Sequence, residues 1–404
     1  MMNKELVYIT TTETLYPNQT DFDSLVVRLY GRTKDQEIKT VTVKGFQPYF
    51  LTRKCDSDKV GESDHEDILG YEEVTETPLS ERWQSDQTDL VKVNVKFPHS
   101  VKVLRQEFDR TWGADCIFSE RFRIDTGIKT GVEVPTHTTR GDHIIVDADE
   151  LEPVAMKDVE PRVLTLDIET DDRDAGFPDP GEARILSIAI HDSYTDQYEV
   201  FLDLDGEDFR SFFDLNAVQK AKLAENDLSL SDIGITEADK LTPKESEQMM
   251  LTAFANTVQE INPDLIAGWN SGDSSNDGFD MPHIISRMKN VGASAGRLSR
   301  EREVEVDHHG DDFKPSVTGR ALYDLMDGWG DTKFTEPRSF KLDDVAQDAL
   351  GDAKIEHQEQ GYYEMYRDDP VKFINYNVKD TRLTVEVNEA ENVLGFKKRL
   401  KDMV

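Results

Sequence analysis

Two acidic residues on a short apolar stretch are the first candidates for chemistry. Residues 163–170 contain Asp167 and Glu169, and their apolar, β-branched composition predicts a strand. Residues two apart on a strand point to the same side, so we expect the two carboxylates to project together. Buried neighbouring carboxylates repel each other unless a cation lies between them, and oxygen ligands suit Mg²⁺ or Mn²⁺. In a chain with 82 acidic residues, this pair alone is more simply explained as a strand end in solvent.

A second acid follows a predicted buried strand at residues 264–269. Asp280 stands in the sequence Gly278-Phe279-Asp280-Met281-Pro282, just before a helix predicted to begin near the proline. Proline suits a first helical turn, and Asp is common at the preceding cap position. The simpler interpretation of this acid is therefore a helix cap.

The third candidate lies on a late helix, predicted over residues 370–390. Tyr376 and Asp380 are one turn apart, on the face that also carries Phe373, Leu383 and Val387. A carboxylate inside an apolar stripe is costly to bury unless something compensates its charge. A functional role is favoured here over the alternative, an acid at the edge of the stripe paired with Lys or Arg.

Taken together, the three stretches could supply four carboxylates and one phenol to a single site. Such a set could close around two divalent ions. Two ions about 4 Å apart activate a water and stabilise the leaving oxygen of a phosphodiester. The tyrosine hydroxyl is a poor base, but it can orient the attacking water by hydrogen bonding.

The elements that must position these residues form two predicted domains. The first, 1–155, is strand-rich, with a hairpin at 25–30 and 38–46, a helix at 100–110, and further strands at 48–51, 90–97, 117–124 and 141–146. The second, 156–404, begins with strands at 163–170, 185–191 and 198–203, in the order of an antiparallel meander. Its helices are predicted at 244–261, 281–291, 342–350 and 370–390, with a strand or a helix start at 321–326. This order predicts an α/β (α+β) fold with helices on the faces of a mixed sheet.

The three stretches resemble the three motifs of the DEDD 3′–5′ exonucleases, in the subclass with Tyr in the third motif. The matching segments are Leu166-Asp167-Ile168-Glu169-Thr170, Gly278-Phe279-Asp280-Met281-Pro282-His283 and Asn375-Tyr376-Asn377-Val378-Lys379-Asp380. The surroundings are similar to the proofreading region of family B DNA polymerases. Segments 45–50 and 121–128 resemble the N-terminal domain of archaeal members, and segment 339–346 resembles the region before the third motif.

The resemblance implies a ribonuclease H-like exonuclease domain beside a family B N-terminal domain. It implies that Asp167, Glu169 and Asp380 hold one Mg²⁺ or Mn²⁺ ion, and that Asp167 and Asp280 reach a second. Tyr376 would position the water. The substrate would be a single-stranded or frayed 3′ DNA end, from which nucleoside monophosphates are released.

One position departs from the family pattern. The family has an Asn that helps to hold the DNA terminus five residues before the second-motif Asp, where this chain has Ser275. Asn270 resembles the family residue displaced by an insertion, and Asn276 is the rival. Phe279, next to the acid, is a further candidate for substrate binding.

The polymerase palm has no counterpart in the 404 residues. Thr14-Leu15-Tyr16-Pro17 and Trp329-Gly330-Asp331-Thr332 resemble short polymerase motifs, but neither has the neighbouring acids on a hairpin. We therefore expect no nucleotide polymerisation by this chain alone. The expectation is the proofreading part of a split or truncated polymerase, with a separately encoded polymerase half and a sliding clamp as partners.

Composition limits the setting and leaves two rivals open. The chain has 47 basic against 82 acidic residues, a net charge of −35 spread along its length, which favours a surface adapted to high salt and a halophilic archaeal or viral source. The N-terminus lacks a signal peptide pattern and no segment is long enough to span a membrane, so we expect a cytoplasmic protein without a membrane partner. The rivals are a non-catalytic DNA-binding or assembly module and a free-standing repair or RNA-trimming nuclease.

Overall fold

The chain forms two compact units, Met1–Val159 and Glu160–Val404. The computed structural model describes residues 4–54, 66–74, 90–136, 139–156, 159–174, 178–204, 230–310, 312–352, 354 and 361–396. None of the helices in these ranges is both long and apolar enough to cross a membrane.

The first unit is built mainly from strands. They are β1 Lys4–Leu15, β2 Val26–Arg32, β3 Ile38–Lys44, β4 Tyr49–Arg53, β5 Ile68–Glu73, β6 Leu90–Val95, β7 Thr111–Trp112, β8 Gly131–Pro135, β9 Thr139–Arg140, β10 His143–Asp147 and β11 Glu152–Val154. In the described ranges they form a seven-stranded sheet, β11-β8-β1-β2-β3-β10-β9, and a four-stranded sheet, β5-β6-β4-β7. Strands β2 and β3 pair antiparallel, which confirms the predicted hairpin.

The helices of the first unit correct one prediction. In the described ranges they are α1, Pro98–Leu104, and α2, Phe118–Thr126, so the strand predicted at 117–124 is wrong. Phe118 and Phe122, one helical turn apart, enter the core of the larger sheet. Gly127 then ends the helix in the left-handed region, at φ +71°. The apolar residues at 117, 118, 122 and 124 fit either period, and packing against the sheet selects the helical one.

The second unit contains the predicted mixed sheet. Its strands are β12 Val163–Thr170, β13 Ile185–Asp192, β14 Gln197–Asp203, β15 Lys240–Lys244, β16 Leu265–Gly268, β17 Val304–His309, β18 Asp312–Val317 and β19 Ala321–Asp324. Six of them form one sheet in the order β15-β14-β13-β12-β16-β19, and β17 pairs with β18. Strands β12, β13 and β14 pair antiparallel, as predicted, whereas β16 runs parallel to β12 and β19 parallel to β16.

Helices cover both faces of this sheet. Among the residues that the structure describes, they are α3 Glu247–Ile261, α4 Asp280–Val291, α5 Leu325–Asp331, α6 Leu342–Leu350, α7 Tyr362–Asp368 and α8 Pro370–Glu391. One core cluster joins α3 and α4 to the sheet, and a second joins α7 and α8. Phe254 and Val258 of α3 are fully buried, and each such side chain stabilises the fold by about 1.5–3 kcal/mol. Short 3₁₀ turns occur at Pro17–Gln19, Arg105–Glu107, Ala148–Glu150, Leu230–Ile233 and Ala295–Leu298.

Strand β12 lies inside the sheet and sorts its side chains by alternation. Leu164, Leu166 and Ile168 enter the core shared with α3 and α4. The side chains of Asp167 and Glu169 therefore leave by the opposite face, which α8 covers. The strand thus delivers two carboxylates to one place while its apolar side anchors it.

Candidate active site

Three carboxylates from β12 and α8 come together at the end of the sheet. One oxygen each of Asp167, Glu169 and Asp380 lies within 4.8 Å of the other two. Glu169 and Asp380 are buried, and Asp167 is half-buried. Such a group of like charges is stable only when protons or cations compensate it.

Asp280 faces the same cleft from the start of α4. It is buried, and it is the first helical residue, so that Phe279 occupies the cap position and no side-chain capping bond forms. Its Oδ2 atom has no hydrogen-bond partner among the described residues. Burial, followed by the charges of Asp167 and Asp324, raises the pKa of Asp280 well above its ordinary value. The capping role that the sequence allowed is therefore not the one this side chain takes.

The pKa values of the clustered carboxyl groups are raised, because little positive charge lies near them in the described part of the site. Burial and then the charge of Asp380 raise the pKa of Asp167 to about 7, against the opposing effects of Lys354 and Asn377. Burial and the neighbouring Asp167 and Asp380 also raise the pKa of Glu169 well above its ordinary value. Without bound cations, these carboxyl groups either keep a proton or repel one another as neighbouring negative charges.

Lys354 is a member of the site that the sequence did not reveal. Its ammonium forms an ion pair with Asp380, and its backbone N–H donates to Asp343 Oδ1 at 2.8 Å. Burial lowers the lysine pKa, but the charges of Asp380 and Asp167 outweigh it and raise the pKa overall. Asp380 is therefore both paired with a lysine, as the alternative interpretation expected, and a member of the carboxylate cluster. In the described part of the site this one ammonium faces four carboxylates. No periodicity or motif marks this lysine in the sequence.

Asn377 ties α8 to the strand that carries the first two acids. Its Nδ2 donates to Asp167 Oδ2 at 2.8 Å, and its Oδ1 accepts from the Ser187 hydroxyl at 2.9 Å. The amide is fully buried, so these bonds fix the carboxylate of Asp167 in orientation. In the sequence, the signal that could have identified Asn377 as a site residue is its position directly after Tyr376.

Tyr376 is buried behind the cluster. Burial, then Asp380 and Glu169, raise the pKa of its hydroxyl, so the group stays protonated and can hydrogen-bond but not act as a base. Burial raises the pKa of Asp380, and the opposing effects of Lys354 and then of the Tyr376 hydroxyl do not cancel that rise. The ring of Tyr376 lies 5.8 Å from the ring of Tyr362, and Tyr362 in turn lines the cleft.

The two candidate asparagines have different surroundings. Asn270 lines the cleft, as does Phe279. Asn276 is exposed in a turn where its backbone N–H donates to Asp273 Oδ1 at 2.9 Å, and it is not among the cleft-lining residues that the structure describes. The structure therefore brings Asn270, and not Asn276, to the acids.

The cleft has a volume of about 930 Å³ and a strongly acidic lining. It is lined by Asp167, Ile168, Glu169, Thr170, Asp171, Asp172, Asp174, Pro178, Glu182, Ala183, Trp269, Asn270, Phe279, Asp280, Lys354, Tyr362 and Asp380. Asp280 Oδ2 and Asp380 Oδ1 are buried oxygens without a hydrogen-bond partner in the described part of the chain. An all-oxygen donor set with unpartnered carboxylate oxygens fits hard divalent cations such as Mg²⁺ and Mn²⁺.

Comparisons with known proteins bear on this site. The family model for the exonuclease domain of family B DNA polymerases matches residues 110–345, which include Asp167, Glu169 and Asp280. The DNA-directed DNA polymerase of Escherichia phage RB69 is 26% identical over 243 residues, covering 58% of this chain and 26% of that protein. DNA polymerase 2 of Aeropyrum pernix is 25% identical over 406 residues, covering 92% of this chain and 43% of that protein.

A solved structure supports the same assignment at the level of fold. The family B DNA polymerase of Pyrobaculum calidifontis matches with a TM-score of 0.70 and 21% identity, over 98% of this chain and 47% of that one. The chain thus spans about a quarter to a half of the length of these relatives. The predicted mixed α/β, ribonuclease H-like fold is confirmed. The chain belongs to the family of the exonuclease domain of family B DNA polymerases.

Proposed function

We propose that this chain is a metal-dependent 3′–5′ exonuclease that removes nucleotides from DNA 3′ ends. It would serve as the proofreading part of a split or truncated family B DNA polymerase. The observation that carries the proposal is the meeting of Asp167, Glu169 and Asp380 within 4.8 Å, with Asp280 on the wall of the same cleft. In the described part of the site these acids face one ammonium, that of Lys354, so burying them together is costly unless cations bind there.

The residues have separable roles in this proposal. Asp167, Glu169 and Asp380 would hold one ion, and Asp167 and Asp280 would hold a second. The two ions, when bound, supply the charge that activates water and stabilises the leaving oxygen. Tyr376 would orient the attacking water through its protonated hydroxyl.

Three further residues support these groups. Asn377 keeps Asp167 in orientation through the 2.8 Å hydrogen bond to its carboxylate. Lys354 places a positive charge beside Asp380, where a phosphate oxygen of the substrate can also be attracted. Asn270 and the ring of Phe279 line the cleft beside Asp280, where the last nucleotide of a single strand would lie.

The test uses the chain with a 5′-labelled single-stranded DNA oligonucleotide in high salt with Mg²⁺ or Mn²⁺. The expected product is a ladder shortened from the 3′ end, with release of nucleoside monophosphates. Asp167→Ala and Glu169→Ala should each reduce the rate at least about a thousandfold, because metal charge contributes several kcal/mol to such reactions. Asp174→Asn is the matched control, an exposed acid that lines the same cleft outside the cluster. Undiminished digestion by the first two variants would refute the proposal.

The ion pair between Lys354 and Asp380 favours one alternative, a non-catalytic DNA-binding or assembly module. A lysine that permanently neutralised the site would remove the need for metal. Titration with Mn²⁺ separates the two functions, because a scaffold should show no Mn²⁺ site that depends on Glu169. Parallel digestion of DNA and RNA strands of the same sequence tests the repair or RNA-trimming alternative.

The wider setting is part of the same proposal. We place the activity in the cytoplasm of a halophilic host, assign the first unit as a family B N-terminal domain, and expect a separate polymerase half and a sliding clamp as partners. Incubation with a primed template and deoxynucleotides tests the expectation that this chain alone adds no nucleotides. Co-purification with a polymerase lacking its own exonuclease tests the partner assignment.

A further inference from the structure

A buried aspartate outside the carboxylate cluster controls the turn that enters the cleft. Asp324 ends β19 and is 1% exposed. Its Oδ1 accepts the backbone N–H groups of Asn270 at 3.1 Å and Met326 at 2.9 Å, and its Oδ2 accepts that of Gly272 at 2.8 Å. Within the described residues, no basic side chain forms an ion pair with it. Three backbone donors therefore hold this carboxylate in place of a cation.

A helix cap accounts for only one of these bonds. Asp324 is the N-cap of α5, a role that the bond from Met326 fulfils. The other two bonds go to a turn that follows β16, more than fifty residues earlier in the chain. A serine or threonine could cap the helix equally well, but its single hydroxyl could not also accept two further N–H groups from another segment.

The turn that Asp324 holds is tightly constrained on its other side. Asn270 has a left-handed backbone, at φ +61°, and its carbonyl accepts the Phe279 N–H at 2.7 Å. Where the two arms of the loop cross, a Cβ on Gly278 would lie 2.1 Å from the nitrogen of Gly272. Non-glycine residues rarely adopt the left-handed backbone of Asn270 unless their surroundings impose it, and residues in that conformation concentrate at functional sites.

This geometry fixes the backbone of the asparagine at the cleft. With its N–H held by Asp324 and its carbonyl held by Phe279, Asn270 lines the cleft beside Asp280. An amide side chain has both donors and acceptors for a phosphate, a sugar or a base edge. The backbone contacts with Asp324 and Phe279 place Asn270 at the cleft before substrate binds.

We propose that Asp324 is a positioning residue for the 3′-terminal nucleotide, acting through Asn270. The inference rests on the proposed exonuclease function and adds to it the residue that shapes the nucleotide contact. Asp324 is not among the described residues that line the cleft. At saturating Mg²⁺ its effect should therefore appear in substrate binding more than in the chemical step.

The experiment is a double-mutant cycle of Asp324→Asn and Asn270→Ala on single-stranded DNA, at saturating Mg²⁺ and well below the unfolding temperature. Asp324→Asn keeps the shape but turns an amide donor toward one of the N–H groups. It should raise KM about tenfold, the effect of one lost charge-assisted hydrogen bond, and change kcat less than about threefold. If Asp324 acts through Asn270, the double variant should be no worse than Asn270→Ala alone. An unchanged KM in Asp324→Asn, or effects that multiply, would overturn the inference.

The control for general destabilisation is Asp264→Asn, at an acid that, unlike Asp324, is paired with an arginine, Arg300. Asp264 is also fully buried, accepts a backbone N–H from Arg162 at 2.9 Å, and precedes β16, the strand that leads to Asn270. This variant should lose stability while KM per folded molecule stays unchanged. An equal rise in KM would show that Asp324→Asn acts through general loosening of the sheet, and would also overturn the inference.

A second measurement keeps the inference independent of activity. Amide hydrogen exchange over residues 269–279 should quicken in Asp324→Asn, and exchange over residues 163–170 should not. If the unaltered chain digests no DNA, the proposed function fails, and the exchange result still judges the positioning role. Unchanged exchange over 269–279 refutes that role whether or not the chain is a nuclease.

Discussion

The second unit contains two sets of buried acids that differ in how their charge is compensated. The arginine-paired acids each have a guanidinium partner, in the pairs Asp192–Arg162, Asp203–Arg184, Glu247–Arg287 and Asp264–Arg300. The cleft acids, Asp167, Glu169, Asp280 and Asp380, face a single ammonium in the described part of the site, that of Lys354. Both sets are attached to one sheet and its helices, so burial alone does not distinguish them.

One acid from each set, Asp192 and Glu169, shows the difference in the direction of its pKa shift. Burial acts to raise the pKa of Asp192, but hydrogen bonds from Arg162 and Thr195 outweigh it and lower the pKa overall. At Glu169, burial and the charge of Asp167 both raise the pKa. Removing one partner of a buried ion pair destabilises the fold, whereas acids left without enough opposite charge mark a place for a ligand of that charge.

The largest expected contrast is in stability without metal. Glu247→Gln should cost about 3 kcal/mol of unfolding free energy, because it leaves the half-buried Arg287 guanidinium without its charge partner and weakens two 2.7 Å hydrogen bonds. Glu169→Gln should leave stability unchanged or increase it, since it removes one of several like charges. Urea unfolding with a chelator at constant high salt measures both midpoints. Equal losses would mean that the two sets of acids do not differ as described.

Divalent ions should reverse the order of stability of Glu247→Gln and Glu169→Gln relative to the unaltered chain. Mn²⁺ at about a hundred times its dissociation constant should add about 2.7 kcal/mol to the stability of the unaltered chain and of Glu247→Gln. Glu169→Gln, with one donor fewer, should gain clearly less. Thermal unfolding with and without Mn²⁺ gives the comparison, and an equal gain in all three proteins would place the ion elsewhere.

The pH dependence sharpens the same comparison. The pKa of Asp167 is raised to about 7, so between about pH 4 and pH 7 the folded chain holds a proton that the unfolded chain has released. Metal-free stability should therefore fall as pH rises through this window on account of this group. Metal ions must displace the same proton, so the Mn²⁺-induced gain should be larger at pH 8 than at pH 6. A gain independent of pH would contradict the assignment of Asp167 as a ligand.

The smallest expected effect concerns Lys354. Lys354→Met should destabilise the metal-free chain by about 1–2 kcal/mol, because Asp380 loses its charge-assisted hydrogen bond. With saturating Mn²⁺ the difference should shrink, since the ions then compensate the same carboxylate. Lys379→Met is the control, a lysine of the same region paired with the half-exposed Asp352, for which a change of at most about 1 kcal/mol is expected. If Lys354→Met loses the same stability with and without Mn²⁺, then Lys354 neutralises its acid in the same way as the arginines of the other set.

The elements that carry the site could be predicted because their signals are local. The alternation of Leu164, Leu166 and Ile168 with the two acids specifies a strand with one polar side, and it does so without reference to the rest of the chain. The spacing of Phe373, Tyr376 and Asp380 likewise specifies one face of α8. Segment 117–124 was mispredicted because its few apolar residues fit both periods, so that only contact with the sheet could decide.

The sequence by itself determined most of the strands and helices, the order of the acidic motifs and, through resemblance, the chemistry they imply. Only the tertiary structure decided that Asp380 reaches Asp167, that Lys354 pairs with Asp380, and that Asn270 lines the cleft while Asn276 does not. The reason is physical. Periodicity depends on neighbours three or four residues apart, whereas these contacts join segments that meet only when the sheet and its helices have packed.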